Sequence, residues 1–253
     1  MGEMDSELLF DLPAEKQHAV LWNPWHGCLR YSEGCRNCYV YRIDAGHGKD
    51  ASIIRKTKSF DLPLAKNKAG RYKLPYGSYV YLCFSSDFFI EEADRWRMRV
   101  WEMIRLRKDL NFFLITKRIS RAADLLPSFW QEIMPRVQIA CTMEDQRAAE
   151  QRLAVYKAFP AENRVIICEP LLGNINFSSL EGINRIIVGG ESGPEARICE
   201  YEWVLNIRQQ CLKEGISFHF RQTGARFKKD GRVYSIPRKI QHEQAGKAGI
   251  DIL

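Results

Sequence analysis

Short apolar runs punctuate the chain at residues 18–22, 78–84, 111–116, 137–142, 164–168, 185–189 and 216–221. Most are rich in Val, Ile and Phe and lack polar alternation. That is how strands buried on both faces read, as in parallel sheets. Between several of them the pattern changes to helical spacing, which predicts helices over 91–108, 120–126, 128–134, 145–159 and 202–214. In the first of these, Trp96, Val100, Met103 and Ile104 recur on one face. Gly215 sits where a helix stop belongs, and Ile216 opens the next apolar run. Repeated strand–helix units imply right-handed crossovers and a parallel sheet. The expected fold is therefore α/β, a partial (β/α) barrel of about six or seven parallel strands. A flat doubly wound sheet is the alternative. No fixed-period repeat and no low-complexity tract interrupts this rhythm.

Two segments depart from it. Residues 46–77 carry Lys49, Arg55, Lys56, Lys58, Lys66, Lys68, Arg71 and Lys73 with little apolar periodicity. They read as an insertion or lid between the first two units, either a solvated loop or a basic arm that tracks a phosphate backbone. Residues 225–253 form a basic tail, with a short hairpin at Asp230–Gly231 or a mobile end as its two readings. The barrel proper is expected over 18–224, after an N-terminal extension at 1–17.

The chain has 253 residues, enough to bury a substantial core. No apolar run is long enough to span a bilayer, so no membrane association is expected. The acidic, amphipathic start lacks the basic-then-apolar order of a secretory signal, and a cytoplasmic location is the expectation. The net charge of +7 suits a polyanionic partner, of which nucleic acid is the commonest.

Charge narrows the function little; the cysteines narrow it more. There are eight, at 28, 35, 38, 83, 141, 168, 199 and 211, and a long chain with no signal argues against a disulfide framework. Cys83, Cys141 and Cys168 lie in or beside apolar runs and read as small buried hydrophobes. Only Cys28, Cys35 and Cys38 cluster, in a C-x6-C-x2-C pattern that follows the first strand. The two-residue gap lets two sulfurs approach one centre, and Gly27 and Gly34 relax the longer loop that brings the third. Structural zinc wants four ligands, whereas a cubane on three cysteines keeps one iron open. A fourth ligand would have to come from His26, His47 or a distant cysteine. Spacing alone leaves iron–sulfur, zinc and an inert thiol cluster all open. His26 beside the cysteines reads best as a capped loop residue, and Trp22, Trp25 and Tyr39 as either a shield for the centre or plain core.

Several further segments complete a pattern. They are Trp22-Asn23-Pro24 through Cys38-Tyr39, Ser85-Ser86-Asp87-Phe88-Phe89, Leu114-Ile115-Thr116-Lys117-Arg118, Cys168-Glu169-Pro170-Leu171-Leu172-Gly173, Val188-Gly189-Gly190-Glu191-Ser192-Gly193-Pro194 and Phe218-His219-Phe220-Arg221-Gln222. In this order, over residues 20–224, the chain resembles the phage-associated three-cysteine-motif proteins, a family of uncharacterised function related to radical S-adenosylmethionine (SAM) enzymes. The resemblance implies a radical-SAM-like partial barrel with a 4Fe-4S cluster on Cys28, Cys35 and Cys38. It implies S-adenosyl-L-methionine on the open iron, cleaved on reduction to start hydrogen abstraction. It also implies an electron donor such as flavodoxin or ferredoxin. The first gap has six residues where radical SAM enzymes usually have three. Asn37 stands where an aromatic residue usually precedes the third cysteine, and Tyr39 follows it instead.

If the barrel is right, the polar residues after each strand face one mouth. These are Ser85, Ser86 and Asp87; Thr116, Lys117 and Arg118; Thr142 and Glu144; Glu169; Gly189, Gly190 and Glu191; and Gln222, with Tyr39 from the cysteine loop. Glu169 and Glu191 each follow an apolar run, where an unpaired charge is costly. They are candidates to hold the ammonium of SAM, with Lys117 or Arg118 on its carboxylate. The competing reading is a structural ion pair, such as Glu169 with Arg118. Gly189-Gly190 either lets the backbone approach a ligand or makes a turn; neither a dinucleotide fingerprint nor a phosphate loop is present. The leading expectation is a radical SAM enzyme acting on a nucleic acid base or nucleotide. The alternatives are a nucleic-acid-binding module stapled by zinc or iron–sulfur, and a radical enzyme for a small molecule or peptide.

Overall fold

The computed structural model describes residues 18–253, so the N-terminal extension expected at 1–17 lies outside the described residues. The strands in chain order are β1 (Ala19–Trp22), β2 (Trp25–His26), β3 (Arg55–Lys56), β4 (Tyr79–Leu82), β5 (Asn111–Thr116) and β6 (Val137–Thr142). They continue with β7 (Val165–Cys168), β8 (Arg185–Gly189), β9 (Cys199–Glu200), β10 (Ser217–Gln222), β11 (Arg226–Lys229) and β12 (Arg232–Ser235). The helices are α1 (Tyr39–Gly46), α2 (Asp94–Leu106), α3 (Ile119–Ala122), α4 (Trp130–Ile133), α5 (Gln146–Ala158), α6 (Tyr201–Glu214) and α7 (Gln241–Gly246).

Seven strands form one sheet in the order β1-β4-β5-β6-β7-β8-β10, all pairs parallel. The sheet curls into a half-barrel, the fold the apolar runs predict. Both faces are apolar. Val80, Leu82, Phe112, Leu114, Ile139, Ile166 and Val188 point into the large core shared with the helices. The alternate positions Tyr81, Phe113, Ala140, Val165, Ile167 and Ile187 form a second cluster made of sheet residues alone, on the concave side. Burial on both sides is why the runs lack alternation.

Helix ends follow local chemistry. Asp145 caps α5 by accepting from the Ala148 amide at 2.7 Å. Gly215 ends α6 in the left-handed conformation, φ 66°. Asp230 and Gly231 both have positive φ, 51° and 73°, as a two-residue hairpin turn demands, and join β11 to β12. The tail therefore forms the hairpin. It also returns to the sheet edge, where Phe218 and Ile252 exchange two backbone hydrogen bonds at 2.9 Å.

The basic insertion is docked rather than solvated. Its Phe60 and Leu74 join the main core, and the Trp22 indole donates to the Ser59 carbonyl at 3.0 Å. The buried Arg107 guanidinium donates to the Pro63 and Leu74 carbonyls and to Asp109. A fully buried arginine satisfied in this way ties 46–77 to the end of α2. Among the described residues, no helix is long and apolar enough to cross a membrane.

Candidate functional site

The cysteine loop leaves the C-terminal end of β1, and every turn of it is held. β2 pairs with β3 of the insertion, His26 opposite Arg55. Gly27 follows at φ 95°, and a Cβ there would lie 2.5 Å from the Ile53 carbonyl oxygen, so only glycine lets the loop run against the insertion. The Cys28 amide then donates to the Ala51 carbonyl at 2.8 Å. The Ser86 hydroxyl donates to the Gly27 carbonyl, and the Tyr41 hydroxyl to that of Cys28. Gly34 lies against Glu144, where an added Cβ would sit 3.1 Å from the carboxyl group. Cys35 closes the short helical turn Glu33–Cys35, and Cys38 directly precedes α1. All three thiols are free and half-buried. Cys83, Cys141, Cys168, Cys199 and Cys211 are fully buried, as expected for small hydrophobes.

Arg118 is the side chain that joins this loop to the barrel. Its Nη1 lies 3.9 Å from the Cys28 sulfur and 3.2 Å from Asp87, and its Nη2 donates to the Leu29 carbonyl at 2.8 Å. The guanidinium also stands over the Tyr31 ring. Asp87 is buried and saturated: it accepts from the Thr116 hydroxyl (2.8 Å) and from the Phe89 (2.9 Å) and Lys117 (3.1 Å) amides as well. Ser86, Asp87, Thr116 and Arg118 thus form one network behind the first cysteine. The Lys117 ammonium makes no ion pair among the described residues, and it acts on both Cys38 and Glu144.

The electrostatics of the thiols follow from this packing. Burial, then Asp87, pushes the Cys28 thiol up to about 12; Arg118 opposes, and Cys35 and Cys38 add to the rise. Burial also raises the Cys38 thiol, against the Val40 and Tyr41 amides at the start of α1 and against Lys117. Cys35 thus acts on both Cys28 and Cys38, and Cys38 on Cys28. Among the described residues no three His, Cys, Asp or Glu side chains converge as on a single ion. A cubane takes each thiolate on a different iron, so it does not require that convergence. Of the other proposed donors, His26 is engaged elsewhere, its Nε2 2.7 Å from the buried Asp44, while His47 is an exposed residue at the C-terminus of α1. Three sulfurs on one pinned loop, with a guanidinium on the first and a helix start under the third, fit a three-cysteine cluster.

The carboxylates predicted at strand ends are all paired within the protein. Glu144 is fully buried, accepts from Arg152 at 2.7 Å and from the Ser32 hydroxyl, and so also touches the cysteine loop. Burial opposes its ionisation, but Lys117, Arg152 and Ser32 outweigh it and hold the carboxyl below the usual range. Glu191 takes a bidentate grip from Arg197 (2.9 and 2.5 Å) and a hydrogen bond from Asn37 (3.0 Å). Burial again opposes, and Arg197 and Asn37 prevail. Arg197 also donates to the Glu33 carbonyl at 3.0 Å, so both partners of Glu191 touch the cysteine loop. Glu169 pairs with Arg221 at 2.7 and 3.0 Å and accepts from Gln222. The structural ion pair exists, but with Arg221 in place of Arg118, because β7 and β10 flank β8 while Arg118 is claimed by Asp87. These pairings leave neither Glu169 nor Glu191 as a bare carboxylate for an ammonium group.

Gly189 and Gly190 serve the protein's own packing. A Cβ on Gly189 would strike the Glu169 carboxylate at 2.7 Å, and one on Gly190 would strike the Thr223 carbonyl at 2.2 Å. Thr142 is buried beneath Arg152, which donates to its carbonyl at 2.7 Å. The Tyr39 hydroxyl donates to the Phe84 carbonyl, and burial pushes its pKa up. The Ser85 carbonyl accepts from the Gly27 amide at 3.1 Å, and its hydroxyl is buried without a partner among the described residues. Trp22 and Trp25 are fully buried core, Trp25 packed on Phe88 and Trp96. Ser32, Arg152 and Arg197, the partners that fix Glu144 and Glu191, do not stand out in the sequence. Arginines on helices and loops carry no periodic signal, so nothing local marks them.

No functionally curated protein matches the sequence. Among solved structures, a mutant of spore photoproduct lyase superposes with a TM-score of 0.50 at 12% identity, covering 97% of this chain and 85% of that one. At that identity the likeness speaks to the fold alone. A family model described as "Protein of unknown function (DUF5131)" matches residues 16–249. With nearly the whole chain matched, cysteine loop and half-barrel together, the protein belongs to the DUF5131 family.

Proposed function

We propose that this protein is a radical SAM enzyme whose Cys28, Cys35 and Cys38 hold a 4Fe-4S cluster. The observation that carries the reading is the pinned three-cysteine loop at the C-terminal mouth of a seven-stranded parallel half-barrel. Those three cysteines would hold the cluster, which would supply the electron for reductive cleavage of SAM and so start hydrogen abstraction from the substrate.

The chain's own residues have separable tasks. Arg118 positions the Cys28 sulfur and places a positive charge beside it, which favours the thiolate form. The start of α1 does the same for Cys38. Glu144 and Glu191 anchor the loop through Ser32 and Asn37 rather than binding ligand directly. Lys117, a cation at the mouth without an ion pair among the described residues, meets the carboxylate of SAM's methionine part. Cys28 packs against the main core, which excludes water from that side. The substrate we assign is a nucleic acid base or nucleotide, in keeping with the +7 charge, and the reductant is a flavodoxin or ferredoxin.

Anaerobic reconstitution with iron and sulfide tests this. The protein should gain the visible charge-transfer absorbance of thiolate-bound iron–sulfur. On adding SAM and dithionite it should form 5′-deoxyadenosine, detected by chromatography. A stable cluster that never cleaves SAM would sink the enzymatic reading.

A further inference from the structure

The basic insertion, the start of the cysteine loop and the turns after β1 and β4 line an open cleft of about 470 Å³, in the size range of small-ligand sites. Lys49, Arg55, Lys56 and Lys58 line it. Its one carboxylate, Asp44, is buried and already held by His26 at 2.7 Å and by Arg55 at 3.8 Å. Lys49 and Lys58 are exposed and make no ion pair among the described residues, and Lys56 stands 3.8 Å over the Phe60 ring with no anion of its own. Like charges gathered without counter-ions repel one another, so an anion placed among them is stabilised. The cavity also holds donors that suit an oxyanion. Ser85 is among its lining residues, and the Ser85 hydroxyl is buried and unpartnered among the described residues, which is costly for a polar group. The pocket is positioned for a substrate: β2 and β3 set His26 opposite Arg55, and Cys28 lies two residues beyond His26.

We infer that this pocket binds a phosphate group of the substrate, carried by a nucleotide or by a strand of nucleic acid. Calling that ligand a substrate rests on the function proposed above; the phosphate binding itself does not. The chemistry is that of cations and a hydroxyl around a multidentate anion, with the insertion serving as a clamp beside the cysteine loop.

The test uses the full-length reconstituted protein and a fluorescein-labelled single-stranded DNA dodecamer, followed by fluorescence polarisation across a salt series. The comparison is with the surface variant Lys49→Gln/Lys58→Gln, with folding checked by circular dichroism. Lys228→Gln/Arg232→Gln in the β11–β12 hairpin is the control. The pocket variant should bind at least tenfold more weakly, and losing two phosphate contacts should flatten the log–log salt slope by about 1.4. The hairpin control should stay close to the parent protein. Adenosine monophosphate then separates the two sources. Displacement of the strand at equal phosphate concentration assigns a nucleotide site, and displacement only by unlabelled strand assigns a nucleic-acid site. Either result upholds the pocket. Two results overturn it: neither probe binds the parent protein, or the pocket variant binds like the parent. The assay needs neither SAM nor reductant, so its failure is distinct from failure to form 5′-deoxyadenosine.

Discussion

Gly190→Ala probes how firmly the far side of the barrel mouth is built. A Cβ at this position would sit 2.2 Å from the Thr223 carbonyl oxygen, 2.8 Å from its carbon and 2.9 Å from the Gly224 Cα. All three are backbone atoms, so no side chain can swing aside. Restoring ordinary contact requires the loops after β8 and β10 to part by about 1 Å, at an overpacking cost of roughly 1–3 kcal/mol. The same movement stretches the Gly190 amide bond to the Gln222 carbonyl, now 3.1 Å, which adds about 1 kcal/mol. The expected loss is therefore about 2–4 kcal/mol, a large share of a typical domain's stability. Glu191 follows directly in the chain, so its grip on Asn37 and Arg197 loosens, and the cysteine loop with it. Gly173→Ala is the control, because nothing lies within 4 Å of a Cβ there and its φ is not positive. Urea unfolding of the two variants decides the matter: with a denaturant slope of about 3 kcal/mol/M, Gly190→Ala should lower the midpoint by roughly 1 M. Gly173→Ala should leave it nearly unchanged. Iron content after reconstitution should fall in the first variant alone. A Gly190→Ala midpoint equal to that of Gly173→Ala would refute the argument that the loop crossing sets the position of Glu191.

Arg118→Met strands the buried Asp87 with its hydroxyl and amide partners alone and should cost about 3 kcal/mol. Pairing it with Asp87→Asn in a double-mutant cycle should recover at least about 1 kcal/mol, and strict additivity would show that the two do not interact. Glu144 and Glu191 have folded-state pKa values below their ordinary 4.5, so their contribution is complete above about pH 4.5. It is lost as pH falls through the depressed folded values. Thermal melts should therefore stay flat down to that point and then decline, and Glu144→Gln should shrink the decline. Cys28→Ser, Cys35→Ser and Cys38→Ser should each remove most of the iron taken up on reconstitution. Cys211→Ala, in a helix away from the loop, should not; equal iron in all four variants would move the cluster elsewhere.

Much of the architecture was legible in the chain alone. A strand buried on both faces is apolar at most positions, so 111–116, 137–142 and 185–189 stand out by composition and coincide with β5, β6 and β8. Gly215 and Asp230–Gly231 were readable because positive φ restricts which residues fit. The C-x6-C-x2-C spacing was likewise a local fact. Through-space pairing was not local. Glu169 meets Arg221, 52 residues away, and Arg118 goes to Asp87 instead, an outcome set by strand order and by competition for the same guanidinium. Glu191 and Glu144 were legible only as acids at strand ends; their partners Arg197 and Arg152 come from a loop and a helix with no periodic mark. Gly190 read as room for a ligand or as part of a turn, and only the crossing of two loops showed that the room is taken by Thr223. The basic insertion read as a solvated loop or a phosphate-tracking arm because lysines hide its few anchors; Phe60, Leu74 and the buried Arg107 decide that it docks. Local sequence determines which backbone shapes and burial patterns are allowed. Which charge neutralises which is decided when the sheet closes, because electrostatic and packing energies depend on distance in space and not along the chain.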